Sequence, residues 1–175
     1  PTTWVRYGFK HAINVGDTFF MAAFRALHTP EATALTPLLA HGMQRVIAGQ
    51  SYEFLAHDAF DTRLRSYLRI IRNKTAALFA VAVEGCATLA GIREASYAEA
   101  FRDLGMAFQL QDDILDLYGA KGRDVAGSDL REGKLSCLVA LHLATHPAET
   151  QRWKNLLRDR KSTRLNSSHQ IISYA

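Results

Sequence analysis

An all-α bundle is the fold class this sequence predicts. Apolar residues recur at helical spacing along nearly the whole chain, and no stretch alternates convincingly at period two. Neither an internal repeat nor a linker interrupts the pattern. At 175 residues and 48% hydrophobic content the chain suits about one globular domain.

The elements follow in order. Phe9 to Leu27 reads as one helix, and Thr29-Pro30 stops it and starts the next. A second helix runs from about Glu31 to Ala56, with Pro37 either bending it or marking its true first turn. Asp61 is placed to cap a short third helix through Ile71. The fourth, from about Thr75 to Gly91, is rich in alanine and glycine, which lets helices pack closely. A fifth spans about Tyr97 to Tyr118, followed by a glycine-punctuated loop from Gly119 to Gly133. Two further helices start near Leu135 and Pro147.

Composition excludes several classes. The apolar fraction is too high and the net charge too modest for a disordered chain. No run approaches the roughly 18 apolar residues of a membrane-spanning helix, and no signal peptide is visible. Cys86 and Cys137 are far from any CxxC spacing and read as reduced thiols in a cytoplasmic protein. Of 21 lysines and arginines, three lie in residues 160–175, which hold no acid; the other 18 face 17 acids. The net charge of +4 therefore belongs largely to the tail and implies no nucleic-acid partner. That tail, RKSTRLNSSHQIISYA, loses the helical period and looks like translated sequencing adapter. The expected organisation is one domain over 1–159, a non-native tail over 160–175, and an internal fragment truncated at both ends, since the chain opens on Pro1.

The stretch Phe108-Gln-Leu-Gln-Asp-Asp-Ile-Leu-Asp116 is the richest in chemistry. Gln109, Asp112, Asp113 and Asp116 stand at i, i+3, i+4 and i+7 and share a helix face. Three carboxylates on one stripe repel unless a cation or water intervenes. Mg²⁺ takes one or two carboxylates plus phosphate oxygens, and Asp112 with Asp116 one turn on suits it; a solvated acidic face is the alternative. Lys74-Thr75 falls at a junction of two helices, where a lysine and helix amides could meet an anion. Lys134 closes the loop Gly127-Ser-Asp-Leu-Arg-Glu-Gly-Lys134, which could fold over a site or be a plain connection. Gln50/Glu53 and Asn14/Asp17 are polar pairs about one turn apart. An acidic stripe facing lysines from two other segments meets the needs of a Mg²⁺-diphosphate site. His142 and His146 read as a C-terminal helix turn with no acidic partner following to complete a zinc site, and Phe19, Phe20, Phe24, Phe101 and Phe108 as core, with the lining of an apolar tunnel as the alternative.

These residues resemble the trans-prenyltransferases, or polyprenyl synthetases. Residues 108–116 look like that family's second aspartate-rich motif, and Lys74-Thr-Ala-Ala-Leu-Phe79 matches its Lys-Thr-x-x-Leu-Phe. Gly49-Gln-Ser-Tyr-Glu53 matches Gly-Gln-x-x-Asp/Glu, Gly16-Asp17 its Gly-Asp, and 127–134 its Gly-Lys loop. The resemblance covers about Pro1 to Arg158 and implies an isoprenoid-synthase-type bundle. It implies Mg²⁺-dependent head-to-tail condensation of isopentenyl diphosphate with an allylic prenyl diphosphate, by a homodimer. On it Asp112 and Asp116 bind Mg²⁺ with Asp113 in support, and Lys74 and Lys134 hold the allylic diphosphate. Thr75 and Gln109 line the reacting centre, while Gln50, Glu53 and Asp17 act behind the substrate or through metal-bound water. The family's first aspartate-rich motif and the Arg-Arg-Gly before its Pro-Thr have no counterpart here. A chain lacking them is expected to expose apolar faces and not to turn over alone. A non-catalytic subunit of a heteromeric synthase, a class I terpene cyclase and a plain helical interaction module are the competing readings.

Overall fold

The computed structural model describes residues 2–92, 95–119 and 127–157. Pro1, the loop segment 120–126, the domain boundary expected at 159 and the tail 160–175 lie outside the described residues. The described residues are helices and connections with no strand among them, as the period predicts.

A short helix α1 (Thr3–Tyr7) turns at Gly8 into α2 (Phe9–Ala26). A single 3₁₀ turn (Thr33–Leu35) then leads into α3 (Thr36–Ala59). Pro37 occupies the first turn of α3, where its missing N–H costs nothing, so the first of the two sequence readings of Pro37 is replaced by the second. Phe60 ends α3 in the left-handed region at φ 52°.

Helix α4 (Leu64–Lys74) begins two residues later than expected for a cap at Asp61. Asp61 still anchors the start, because its carboxylate accepts the Arg63 amide at 3.1 Å and the Ser66 hydroxyl at 2.7 Å. Then come α5 (Ala76–Leu89), α6 (Ala95–Tyr118), the single turn α7 (Ser128–Arg131), and α8 (Cys137–Thr145). A 3₁₀ turn at Pro147–Glu149 continues as helix over 150–157.

Helices α5 and α6 share the most extensive packing, and α4 lies against α3, α5, α6 and α8. The small residues do what the sequence suggested. Ala76, Ala77 and Ala80 are buried on α5, and Gly105 of α6 lies so close that an added Cβ would fall 2.7 Å from Ala76 Cα. One core cluster joins Tyr67 and Ile71 of α4 to Ala140 of α8. A second joins Val139 and Leu143 of α8 to Leu157.

The aromatic rings read as core are not in it. Phe19 is 72% exposed and Phe108 53%, with Phe20 and Phe101 also exposed. Helix α2 makes its main contacts with α1, and Phe108 stays half open although the Phe79 ring of α5 lies 5.5 Å away. Ile47, Phe54 and Leu55 of α3 are likewise exposed, as the expectation of uncovered apolar faces required. Among the described residues no helix is long and apolar enough to cross a membrane. Cys86 is exposed, Cys137 is half-buried, and both are unpaired.

Candidate active site

A cleft of about 630 Å³ opens between α3, the α4–α5 junction, α6 and the segment 129–136. Gln50, Glu53, Lys74, Thr75, Gln109, Asp112, Asp113 and Lys134 all line it. Residues scattered over more than eighty positions thus face one space, and each wall has a local cause.

Helix α3 presents Gln50 and Glu53 from one face. Glu53 Oε2 accepts both Gln50 Nε2 and Lys74 Nζ, each at 2.6 Å. Lys74 is the last residue of α4, and Thr75 breaks the helix before α5 resumes. The junction is pressed against α3 because residue 49 is glycine: a Cβ there would lie 2.4 Å from Lys74 N. Thr75 Oγ1 donates to Gln109 Oε1 at 2.8 Å, and Gln109 Nε2 donates to Asp113 Oδ1 at 3.1 Å. A polar relay therefore runs from the α4–α5 break into the acidic face of α6.

The acidic stripe divides. Asp112 is half-exposed and lines the cleft. Asp113 is 5% exposed, and its Oδ2 accepts Tyr67 Oη and the Cys137 amide, both at 2.8 Å. This carboxylate ties α6 to α4 and α8. Burial, then the Asp113 charge and hydrogen bond, push the Tyr67 phenol far above its usual range. Burial and the same charge raise the Cys137 thiol. Asp116 is buried too and does not line the cleft; it accepts Ser128 Oγ and, at 2.9 Å, the Asp129 amide, and so caps α7.

Lys134 Nζ is paired within its own segment, with Asp129 at 2.7 Å and Glu132 at 3.1 Å. Burial opposes its charge, but these hydrogen bonds outweigh burial and hold its pKa above the ordinary lysine value. Asp17 is exposed on α2 and is not among the cleft residues. A Gly-Asp pair carries no signal of which face of the bundle its helix meets.

Sequence reasoning missed Tyr67, His57 and Asp61, which also line the cleft. His57 had a signal, since residues 50, 53 and 57 fall on one helical stripe. Tyr67 had none, because its partner is 46 residues away. An acidic partner does follow the histidine pair, contrary to the sequence reading: Glu149, in the 3₁₀ turn after α8, meets His142 Nε2 at 2.9 Å, while the His142 ring stacks on His146.

The donor set suits a hard cation. The cleft lining holds carboxylates, one imidazole (His57) and no sulfur. Among the described residues no group of three or more His, Cys, Asp or Glu is disposed to hold a metal ion. A cation that takes one or two carboxylates and completes its shell with water and phosphate does not need such a group.

The helical bundle thus sets two lysines and several carboxylates around one polar relay in a single cleft. The polyprenyl synthetase model matches residues 1–175, and the chain belongs to that family. It is 34% identical over 153 residues to geranylfarnesyl diphosphate synthase of Aeropyrum pernix, covering 79% of this chain and 48% of that protein. Octaprenyl diphosphate synthase of Haemophilus influenzae is 34% identical over 152 residues, 83% of this chain and 45% of its own. The chain thus spans about half the length of the curated relatives it matches. The crystal structure of polyprenyl synthase from Caulobacter crescentus CB15, complexed with calcium and isoprenyl diphosphate, superposes with TM-score 0.76 at 32% identity. The overlap covers 90% of this chain and 50% of that one.

Proposed function

We propose that the protein is a Mg²⁺-dependent prenyltransferase that condenses isopentenyl diphosphate with an allylic prenyl diphosphate. The observation that carries this reading is the convergence of Lys74, Lys134, Asp112 and the Thr75–Gln109 pair on one cleft. Support comes from relatives named as prenyl diphosphate synthases and from a similar structure crystallised with isoprenyl diphosphate.

In this reading Asp112 on the cleft wall provides a carboxylate for Mg²⁺, Asp116 one turn on joins it by giving up Ser128 and the Asp129 amide, and Asp113 holds their helix in place. When bound, the cation neutralises diphosphate oxygens and favours departure of the leaving group. Lys74 and Lys134 take the remaining charge, exchanging their present carboxylate partners for phosphate oxygens. The allylic C–O bond breaks, the isopentenyl double bond attacks the resulting cation, and a proton leaves. Thr75 and Gln109 line that region, and Gln50 and Glu53 orient Lys74. Preorganised charge around the departing diphosphate supplies the largest part of the rate enhancement. We further place the protein in the cytoplasm as a homodimer, the unpaired cysteines agreeing with a reducing compartment.

The test is calorimetric titration of the chain with geranyl diphosphate, with and without Mg²⁺. Mg²⁺-dependent binding that disappears in Asp112→Ala and in Lys74→Ala is expected. Binding indifferent to Mg²⁺ and to both substitutions would overturn the reading.

A further inference from the structure

Lys74 and Lys134 come from different walls of the cleft, yet both are tied to one stripe of α3. Glu53 holds Lys74 directly, at 2.6 Å. One turn on, His57 Nε2 stands 3.1 Å from the carbonyl oxygen of Gly133, the residue before Lys134. A carbonyl can only accept, so Nε2 carries the proton and donates. Gly133 sits at φ 73°, a left-handed turn suited to glycine, and a Cβ there would lie 3.0 Å from the Leu157 carbonyl. The turn that launches Lys134 is thus closed from behind by the C-terminal helix and fastened in front by His57. The backbone amide of Lys134 completes it by donating to Asp129 O at 2.9 Å.

We propose that His57 is a positioning residue: it fixes the Gly133–Lys134 turn to α3, and so sets where the Lys134 ammonium stands relative to Lys74. His57 need not touch the ligand to do this. The ligand class it tunes is one with two linked phosphoryl groups, which gains from both ammonium groups at once, whereas a single phosphate engages one. The inference rests on the diphosphate reading of the cleft, and its experiment separates the two.

The experiment compares the chain with His57→Ala and His57→Gln, since a glutamine amide can replace the Nε2 donor. Inorganic diphosphate and orthophosphate are titrated with Mg²⁺ present, and hydrogen exchange of the Lys134 amide is followed without ligand. Losing one positioning hydrogen bond is expected to weaken diphosphate binding in His57→Ala roughly three- to tenfold, to leave orthophosphate unchanged, and to speed exchange at Lys134; His57→Gln restores both. Equal losses for the two anions, or no rescue by glutamine, would overturn the proposal. If the unsubstituted chain binds no diphosphate, the reading of the cleft fails. Exchange then decides the anchoring by itself: acceleration in His57→Ala reversed in His57→Gln upholds it, and unaltered exchange refutes it.

Discussion

Replacing Gly49 by alanine is the sharpest test of how the cleft is built. The new Cβ would fall 2.4 Å from Lys74 N and 2.9 Å from Lys74 Cα. Ordinary contact begins near 3.4 Å, so α3 and the α4–α5 junction must separate by about 1 Å, and no side-chain rotation relieves the clash. Overpacking of this kind costs about 1–3 kcal/mol, and a clash with backbone belongs at the upper end. The better helix propensity of alanine returns about 1 kcal/mol. The net loss is about 2 kcal/mol, which for a chain of this size lowers the melting temperature by about 4–8 °C. The same separation draws Lys74 away from Glu53. Gly42 provides the control, since its added Cβ would meet the Val81 side chain at 2.2 Å. The double variant Gly42→Ala/Val81→Ala should therefore recover stability lost in Gly42→Ala. Thermal unfolding and Mg²⁺-diphosphate titration read both effects. A Gly49→Ala chain as stable as its parent, with unchanged affinity, would refute the claim that this glycine sets the position of Lys74.

Adjacent aspartates should separate function from folding. Asp112→Asn should leave the melting temperature within about 1 °C but abolish Mg²⁺-dependent diphosphate binding. Asp113→Ala strips acceptors from Tyr67 Oη and the Cys137 amide and should cost about 3 kcal/mol or more in urea unfolding. Tyr67→Phe removes one of those donors to a charged group and should cost about 1.5–3 kcal/mol, with Mg²⁺ dependence retained. The hydrogen bond from Arg63 holds the Asp61 carboxyl below the usual range, with Ser66 and the Arg63 amide assisting and burial opposing. A depressed carboxylate stabilises the fold above its unfolded pKa of about 4 and loses that contribution as pH falls through the folded value. The stability gap between the parent and Asp61→Asn should therefore be widest at neutral pH and shrink below about pH 4 in urea melts.

Much of the bundle was legible in the chain. The helices expected over 9–27, 31–56, 75–91 and 97–118 match those observed over 9–26, 36–59, 76–89 and 95–118, the largest miss being the start of the second, because a helix is specified by neighbours three and four positions apart. What failed was whatever depends on distant partners. The period makes Phe19 and Phe108 apolar-face residues without saying whether anything covers that face. Helix α1 and the single turn α7 are too short for a period to reveal.

The candidate site divides in the same way. Sequence alone determined that Lys74, Gln109, Asp112 and Lys134 are the residues to watch, since their types and spacing are local properties. It also put Asp112, Asp113 and Asp116 on one stripe, pairing Asp112 with Asp116 for a cation and leaving Asp113 in support. Only the tertiary structure told the half-exposed Asp112 from the two buried ones, through donors arriving from 46, 24 and 13 residues away. Asp113, saturated by the Tyr67 hydroxyl and the Cys137 amide, braces the fold, whereas Asp112 stands at the cleft wall within reach of a ligand. His57 belongs to the second category of knowledge as well: its place beside Glu53 is written in the helix period, but its hold on Gly133 spans 76 residues and exists only once the chain has closed on itself.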